Sequence, residues 1–140
     1  MTTVRTELRV CIDVDDLDKA IAFYTQALGL KVGRRFGANG TELLGASSPI
    51  DLLTKPSGSR ATLGGSSMRD YRRHWTPVHL DFAVIDLDEA VRRALAAGAK
   101  LERDIQVQEW GRMANLADPF GHGFCLLEFR GRGYDEVAET

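Results

Sequence analysis

Arg9-Val-Cys-Ile-Asp-Val-Asp-Asp-Leu-Asp-Lys-Ala-Ile21 aligns without a gap on His79-Leu-Asp-Phe-Ala-Val-Ile-Asp-Leu-Asp-Glu-Ala-Val91. One deleted residue later, Gly29-Leu-Lys-Val32 aligns on Gly98-Ala-Lys-Leu101. Self-similarity of this kind means two copies of one supersecondary unit, and it has to be settled before any single element is assigned. Each copy reads strand, helix, glycine stop, strand.

The opening strands follow from alternation. Val10, Ile12 and Val14 fall on one face with Arg9, Cys11 and Asp13 on the other, and Leu80, Phe82 and Val84 oppose His79, Asp81 and Ala83. The apolar face is expected under a helix. Asp16 and Asp86 are suitable N-caps, with Glu89 three residues after Asp86 as a capping box requires. Leu17, Ala20, Ile21, Tyr24 and Leu28 form a helical stripe in the first copy, as do Leu87, Ala90, Val91, Ala94 and Leu95 in the second. Gly29 and Gly98 supply the left-handed residue that ends each helix.

Outward from these openings, short strands are predicted at Lys31 to Phe36, Thr41 to Leu44 and Ile50 to Thr54, then at Lys100 to Val107, Arg112 to Ala117 and Phe124 to Phe129. Gly37-Ala-Asn-Gly40 and Asp118-Pro-Phe-Gly121 are turn sequences, because Pro presets φ and Gly or Asn accepts positive φ. The fold class is therefore α+β, two tandem βαβββ modules at residues 5–54 and 78–129 within one domain of residues 1–140. Residues 55–77 are read as linker and pocket-edge flap, with a short helix around Arg69, and residues 130–140 as a polar tail that frays or packs on a partner subunit.

Composition narrows the function classes. With 140 residues and 44% hydrophobic side chains, one compact domain is expected. Eighteen basic against 20 acidic groups leave a net charge of −2, which gives no footprint for nucleic acid or an anionic membrane. No apolar run approaches the ~20 residues that span a bilayer, and Met1 to Arg9 lacks the apolar core of a signal peptide, so the expected address is cytoplasmic. Cys11 and Cys125 are distant in sequence with no CxxC, and are read as small buried hydrophobes rather than a disulfide or zinc knuckle.

The paired module openings, Phe23-Tyr24 with Leu28-Gly29-Leu30, and Trp110-Gly111 followed by Asp118-Pro-Phe-Gly-His122 together resemble the vicinal oxygen chelate superfamily from about Arg5 to Phe129. This is the group of glyoxalases, bleomycin-resistance proteins and extradiol dioxygenases. The run through Phe124-Cys-Leu-Leu127 is similar to its glyoxalase-like subgroup. The resemblance implies curved mixed sheets with the first and fourth strands of each module adjacent, a ligand pocket where the modules meet, and a homodimer. It also implies a metal held by one side chain from the first and one from the fourth strand of each module. By register those positions are Arg9 and Asp51 in the first module, His79 and Cys125 in the second.

A permanently protonated guanidinium at a ligand position opposes a divalent cation. Arg9 and Asp51 are therefore read as an ion pair on neighbouring strands, and the pocket as free of metal and other cofactors. A competing reading keeps Asp51, His79 and Cys125 as three ligands of zinc, nickel, manganese or iron with water in a fourth position. A third pairs Cys125 with His79 as nucleophile and base, against which stands the absence of an evident third group to orient the imidazole.

Trp75 and Trp110 are read as pocket-rim aromatics for stacking a ligand, with core or dimer packing as the equal alternative. His122 is read as a turn residue, His74 as part of the flap, and Arg69, Arg72 and Arg73 as a solvated helix face. The leading expectation is a bleomycin-resistance-like pocket for a small aromatic or amphipathic molecule, lined by Arg9, Asp51, His79, Cys125, Trp75 and Trp110. The alternative is an enzyme, a lactoylglutathione lyase-like protein before a ring-cleaving dioxygenase, whose iron triad needs two His where the four positions hold one.

Overall fold

The computed structural model describes residues 3–139. Met1, Thr2 and Thr140, parts of the expected domain and tail, lie outside the described residues. The chain divides into two compact units, Met1–Thr25 with Gly29–Asp70 and Gln26–Leu28 with Tyr71–Thr140.

The first unit carries β1 (Val10–Val14), most of α1 (Leu17–Leu28), β2 (Lys31–Arg35), β3 (Gly40–Leu44) and β4 (Ile50–Thr54). Its sheet runs β1-β4-β3-β2, with β1 parallel to β4 and the other pairs antiparallel. The second unit repeats the plan with β5 (Leu80–Ala83), α2 (Leu87–Ala97), β6 (Lys100–Gln108), β7 (Gly111–Ala117) and β8 (Gly123–Phe129), in the order β5-β8-β7-β6. Again the first strand pairs parallel with the fourth. The α+β expectation of two βαβββ modules holds, and among the described residues no helix is long and apolar enough to cross a membrane.

The helix signals act as read. Asp16 accepts from the Lys19 amide at 3.1 Å and Asp86 from the Glu89 amide at 3.2 Å, while Gly29 and Gly98 take positive φ. The Glu89 carboxylate turns to Arg92, along the helix surface. In α1 the buried side chains are Ala20, Phe23, Tyr24 and Ala27, so the apolar face is rotated from the expected stripe, with Leu17, Ile21 and Leu28 only half-buried. In α2, Leu87, Ala90, Val91 and Ala94 are buried against β7 and β8, but Leu95, eight positions after Leu87, falls off the edge of that stripe and is exposed.

A buried carboxylate fastens α2 to its sheet. Glu128 accepts from the Leu87 amide at 2.8 Å, from Arg112 at 3.3 and 3.2 Å, and from Arg130 at 2.8 Å. Arg112 holds this carboxyl down to about 2, helped by the Leu87 amide. Arg112 also reaches Asp88 in the first turn of α2 at 2.9 Å.

No helix forms around Arg69. The Arg69 amide donates to the Ser59 carbonyl at 2.7 Å and the Gly58 amide to the Arg69 carbonyl at 2.8 Å, so this backbone is paired across a loop. Its guanidinium, mostly buried, donates to Asp13 at 2.8 Å and to the Ala61 carbonyl at 3.3 Å. The expected solvated helix face is thus replaced by an ion-paired clasp within the first unit.

Candidate functional site

In the first unit the expected ion pair is present and larger than expected. Arg9 donates from Nε to Asp51 at 3.1 Å and from Nη2 to Asp51 at 2.8 Å and Glu42 at 2.7 Å. Glu42 and Asp51 are opposed in the β3–β4 register and both are buried. Arg34 completes the network through its amide and Nε at 3.1 Å and its Nη2 at 2.7 Å, all to Glu42. Gly33 makes room, since a Cβ there would stand 2.7 Å from a Glu42 oxygen.

Two guanidinium groups therefore balance two carboxylates. Arg34 first, then Arg9, hold the Glu42 carboxyl far below the usual range, and Asp51 with Glu42 fixes the proton on Arg9 still more firmly. Sequence reading missed Glu42 and Arg34. An acidic residue at the buried centre of a strand was the available signal.

In the second unit His79 precedes β5, and its Nε2 lies 3.1 Å from Asp81 Oδ1. Asp81 and Cys125 are direct partners in the β5–β8 register, so their side chains leave adjacent strands together. The ligand atoms of His79, Asp81 and Cys125 all lie within 4.8 Å of one another. Asn115, opposite Cys125 on β7, donates its amide to the sulfur at 3.2 Å and is itself held by Gln106 at 3.2 Å.

Asp81 supplies the third group that the sequence did not offer His79. The thiol is nonetheless a poor nucleophile, because burial, followed by the Asp81 charge, pushes it up to about 11. Cys11, expected to be buried, is exposed; it sits on the polar face of β1 beside Arg9 and Asp13.

His79 and Cys125 line a cleft of about 190 Å³ in the second unit, together with Trp75, Arg73, Asn115 and Phe124. Trp75 is 80% exposed at this cleft. Arg73 is clamped to Glu102 at 2.6 and 2.9 Å, and a Cβ on Gly123 would strike its guanidinium. It is therefore a positioned wall of the cleft, exposed as expected but on no helix.

Trp110 packs in an aromatic cluster. Its ring packs at 5.8 Å from Phe129 and 5.2 Å from Tyr134, which folds the start of the tail, a 3-10 turn at Gly133–Glu136, onto the end of β8. His122 follows the Asp118 turn as expected; Asp118 accepts from the Phe120 and His122 amides at 2.8 and 2.9 Å, and the imidazole faces Tyr71. The His74 ring bonds the Arg72 carbonyl at 2.8 Å.

A protein family described as a glyoxalase-like domain matches residues 9–127. The Mb0911c protein of Mycobacterium bovis is 37% identical over 117 residues, covering 81% of this chain and 76% of its own length. The anthracycline biosynthesis protein DnrV of Streptomyces peucetius is 34% identical over 125 residues, 89% of this chain but 41% of DnrV. A structure of the fosfomycin resistance protein FosX from Listeria monocytogenes, complexed with Mn(II) and a dihydroxypropylphosphonic acid, superposes with a TM-score of 0.67. It is 22% identical, with 89% of this chain and 90% of that one covered, and the likeness speaks for the fold.

Proposed function

Because the chain belongs to the glyoxalase-like domain family of the vicinal oxygen chelate superfamily, we propose that it binds a small aromatic or amphipathic molecule without the superfamily's four-ligand metal centre. The observation that carries this reading is Arg9, whose guanidinium occupies one of the four expected ligand positions and engages a second, Asp51, through two nitrogens. A divalent ion at those positions would face a permanent cation and a carboxylate already spoken for. The residues present do not fit that metal set.

What remains suited to a ligand is the second-unit cleft. Trp75 offers a flat apolar face with one indole donor, Phe124 an apolar wall, and Asn115 and His79 polar groups that fix orientation. A volume of about 190 Å³ accepts one ring system and leaves a larger molecule protruding past Trp75. The relative named for anthracycline biosynthesis supports an aromatic occupant. The working form is a homodimer, which light scattering checks.

The test is fluorescence titration of chelator-treated protein with naphthol and naphthoic acid. Quenching of tryptophan emission that saturates, and that Trp75→Ala weakens about tenfold, is the expected result. Absence of saturable quenching with both probes, or equal affinity in Trp75→Ala, refutes the reading.

A further inference from the structure

We propose that the second unit by itself holds one borderline-soft divalent cation, zinc before others, between His79 Nε2, an Asp81 carboxylate oxygen and Cys125 Sγ. This goes beyond the ligand-binding reading and does not depend on it. It also departs from the superfamily arrangement, since no ligand comes from the first module and Asp81 holds none of the four expected positions.

The argument starts with placement. His79, just before β5, lies against Asp81 two residues on, and Cys125 comes from the neighbouring strand at the position opposed to Asp81. Their ligand atoms all lie within 4.8 Å of one another, and His79 and Asp81 are already 3.1 Å apart. Bonds of about 2.0–2.3 Å around a tetrahedral ion put donor atoms roughly 3.3–3.8 Å apart. Side-chain rotation alone closes that gap.

Donor chemistry points the same way. Imidazole, carboxylate and sulfur form a mixed set that suits zinc and disfavours magnesium or calcium, which take oxygen ligands. Here the contrast with the first unit is direct. Arg9 reaches into the Asp51–Glu42 carboxylates, whereas the Arg73 guanidinium beside this cleft is turned onto Glu102 through two contacts.

A second observation concerns the sulfur. Cys125 is buried, yet the Asn115 amide is aimed at its Sγ at 3.2 Å and is held there by Gln106. An N–H donor fixed on sulfur is the outer contact a metal thiolate uses, and a merely space-filling cysteine has no need of it. Because His79 and Cys125 line the cleft, a fourth position on the ion would face its interior, where water or a ligand atom completes the shell.

The experiment strips the full chain with a chelator and titrates it with zinc against a chromophoric competitor, and with cobalt to read thiolate charge-transfer absorption. One ion per chain is expected, with the cobalt band lost in Cys125→Ser and zinc affinity lowered about tenfold or more in Asp81→Asn and His79→Ala. Asp51→Asn, which removes no member of the proposed ligand set, should leave affinity within about threefold, as for an independent site. Circular dichroism and thermal melts of each variant separate lost ligands from lost fold.

No stoichiometric binding at micromolar zinc overturns the proposal. So does binding indifferent to Asp81→Asn, or binding abolished by Asp51→Asn in folded protein, which would move the ion onto the mixed set of both modules. The naphthol titration is run on the stripped protein, so failure of zinc binding and failure of the ligand reading are separate outcomes.

Discussion

Asp81 and Cys125 are opposed residues in the parallel register of β5 and β8. The same pair of positions in the first module holds Cys11 opposite Asp51. Thiol and carboxylate have exchanged strands between the copies, and the residue two before each first-strand member differs in kind, Arg9 in one and His79 in the other. That one difference decides the chemistry. An arginine two residues before Cys11 closes the first site into an ion-pair network, while a histidine two residues before Asp81 leaves the second site with three groups able to donate lone pairs.

The Arg9 network should show the asymmetry of buried ion pairs. Arg9→Ala leaves Glu42 and Asp51, opposed and buried, with Arg34 as the one cation of the network. We expect its thermal midpoint to fall by about 5–10 °C. The double variant Arg9→Met/Asp51→Leu, which removes both charges and keeps the volume, should recover most of that loss. Equal midpoints for wild type and Arg9→Ala would show that the network carries no stability.

Acid should act through the same kind of group. Arg112 holds Glu128 down to about 2, and Arg34 with Arg9 holds Glu42 lower still. A depressed folded value stabilises the protein above the unfolded carboxylate value, roughly 4.3, and that contribution is lost as pH falls toward the folded value. The midpoint measured by circular dichroism should therefore change little for these groups between pH 7 and about 5 and drop steeply from about 4.5 to 2. Glu128→Gln starts lower at neutral pH and should follow a shallower acid slope; a parallel slope would remove Glu128 from the account.

How far the sequence led depends on where each signal resides. Strand alternation, the Asp16 and Asp86 caps and the stops at Gly29 and Gly98 are local, so the repeated module could be read without knowing any long-range contact. The Arg9–Asp51 pair followed once the first and fourth strands were placed side by side. Glu42 could not be assigned a partner in that way, because its role depends on the β3–β4 register and on Arg34 from a third strand. Asp81 was visible on the His79 face by simple alternation, but its meaning needed Cys125 brought opposite from 44 residues away. The packing of Trp110 could not be assigned, because its partner Tyr134 comes from a tail with no periodic pattern of its own.

Gly111 makes a sharper stability test than any core residue. Its φ is +151°, and a Cβ would collide with the Glu128 carbonyl across the β7–β8 pair. Gly111→Ala therefore has to shift the strand that carries Glu128 and Cys125. We expect a loss on the order of 2–4 kcal/mol by denaturant unfolding, whereas Gly37→Ala, at φ +70° with open space around it, should cost about 1 kcal/mol. Similar losses for the two would mean that the collision is relieved by local relaxation.

The two thiols should separate in a timed alkylation of chelator-stripped protein at neutral pH. Cys11 is exposed on the polar face of β1 and should react at the rate of an ordinary free thiol. Cys125 is 4% exposed, receives the Asn115 amide, and burial with the Asp81 charge pushes it up to about 11, so that its thiolate fraction at pH 7 is on the order of one in ten thousand. Peptide mapping should find Cys11 labelled first and Cys125 modified only as the fold opens. Fast labelling of Cys125 in folded protein would instead mean that His79 activates it as a nucleophile, and Asp81 would then be the group that orients the imidazole.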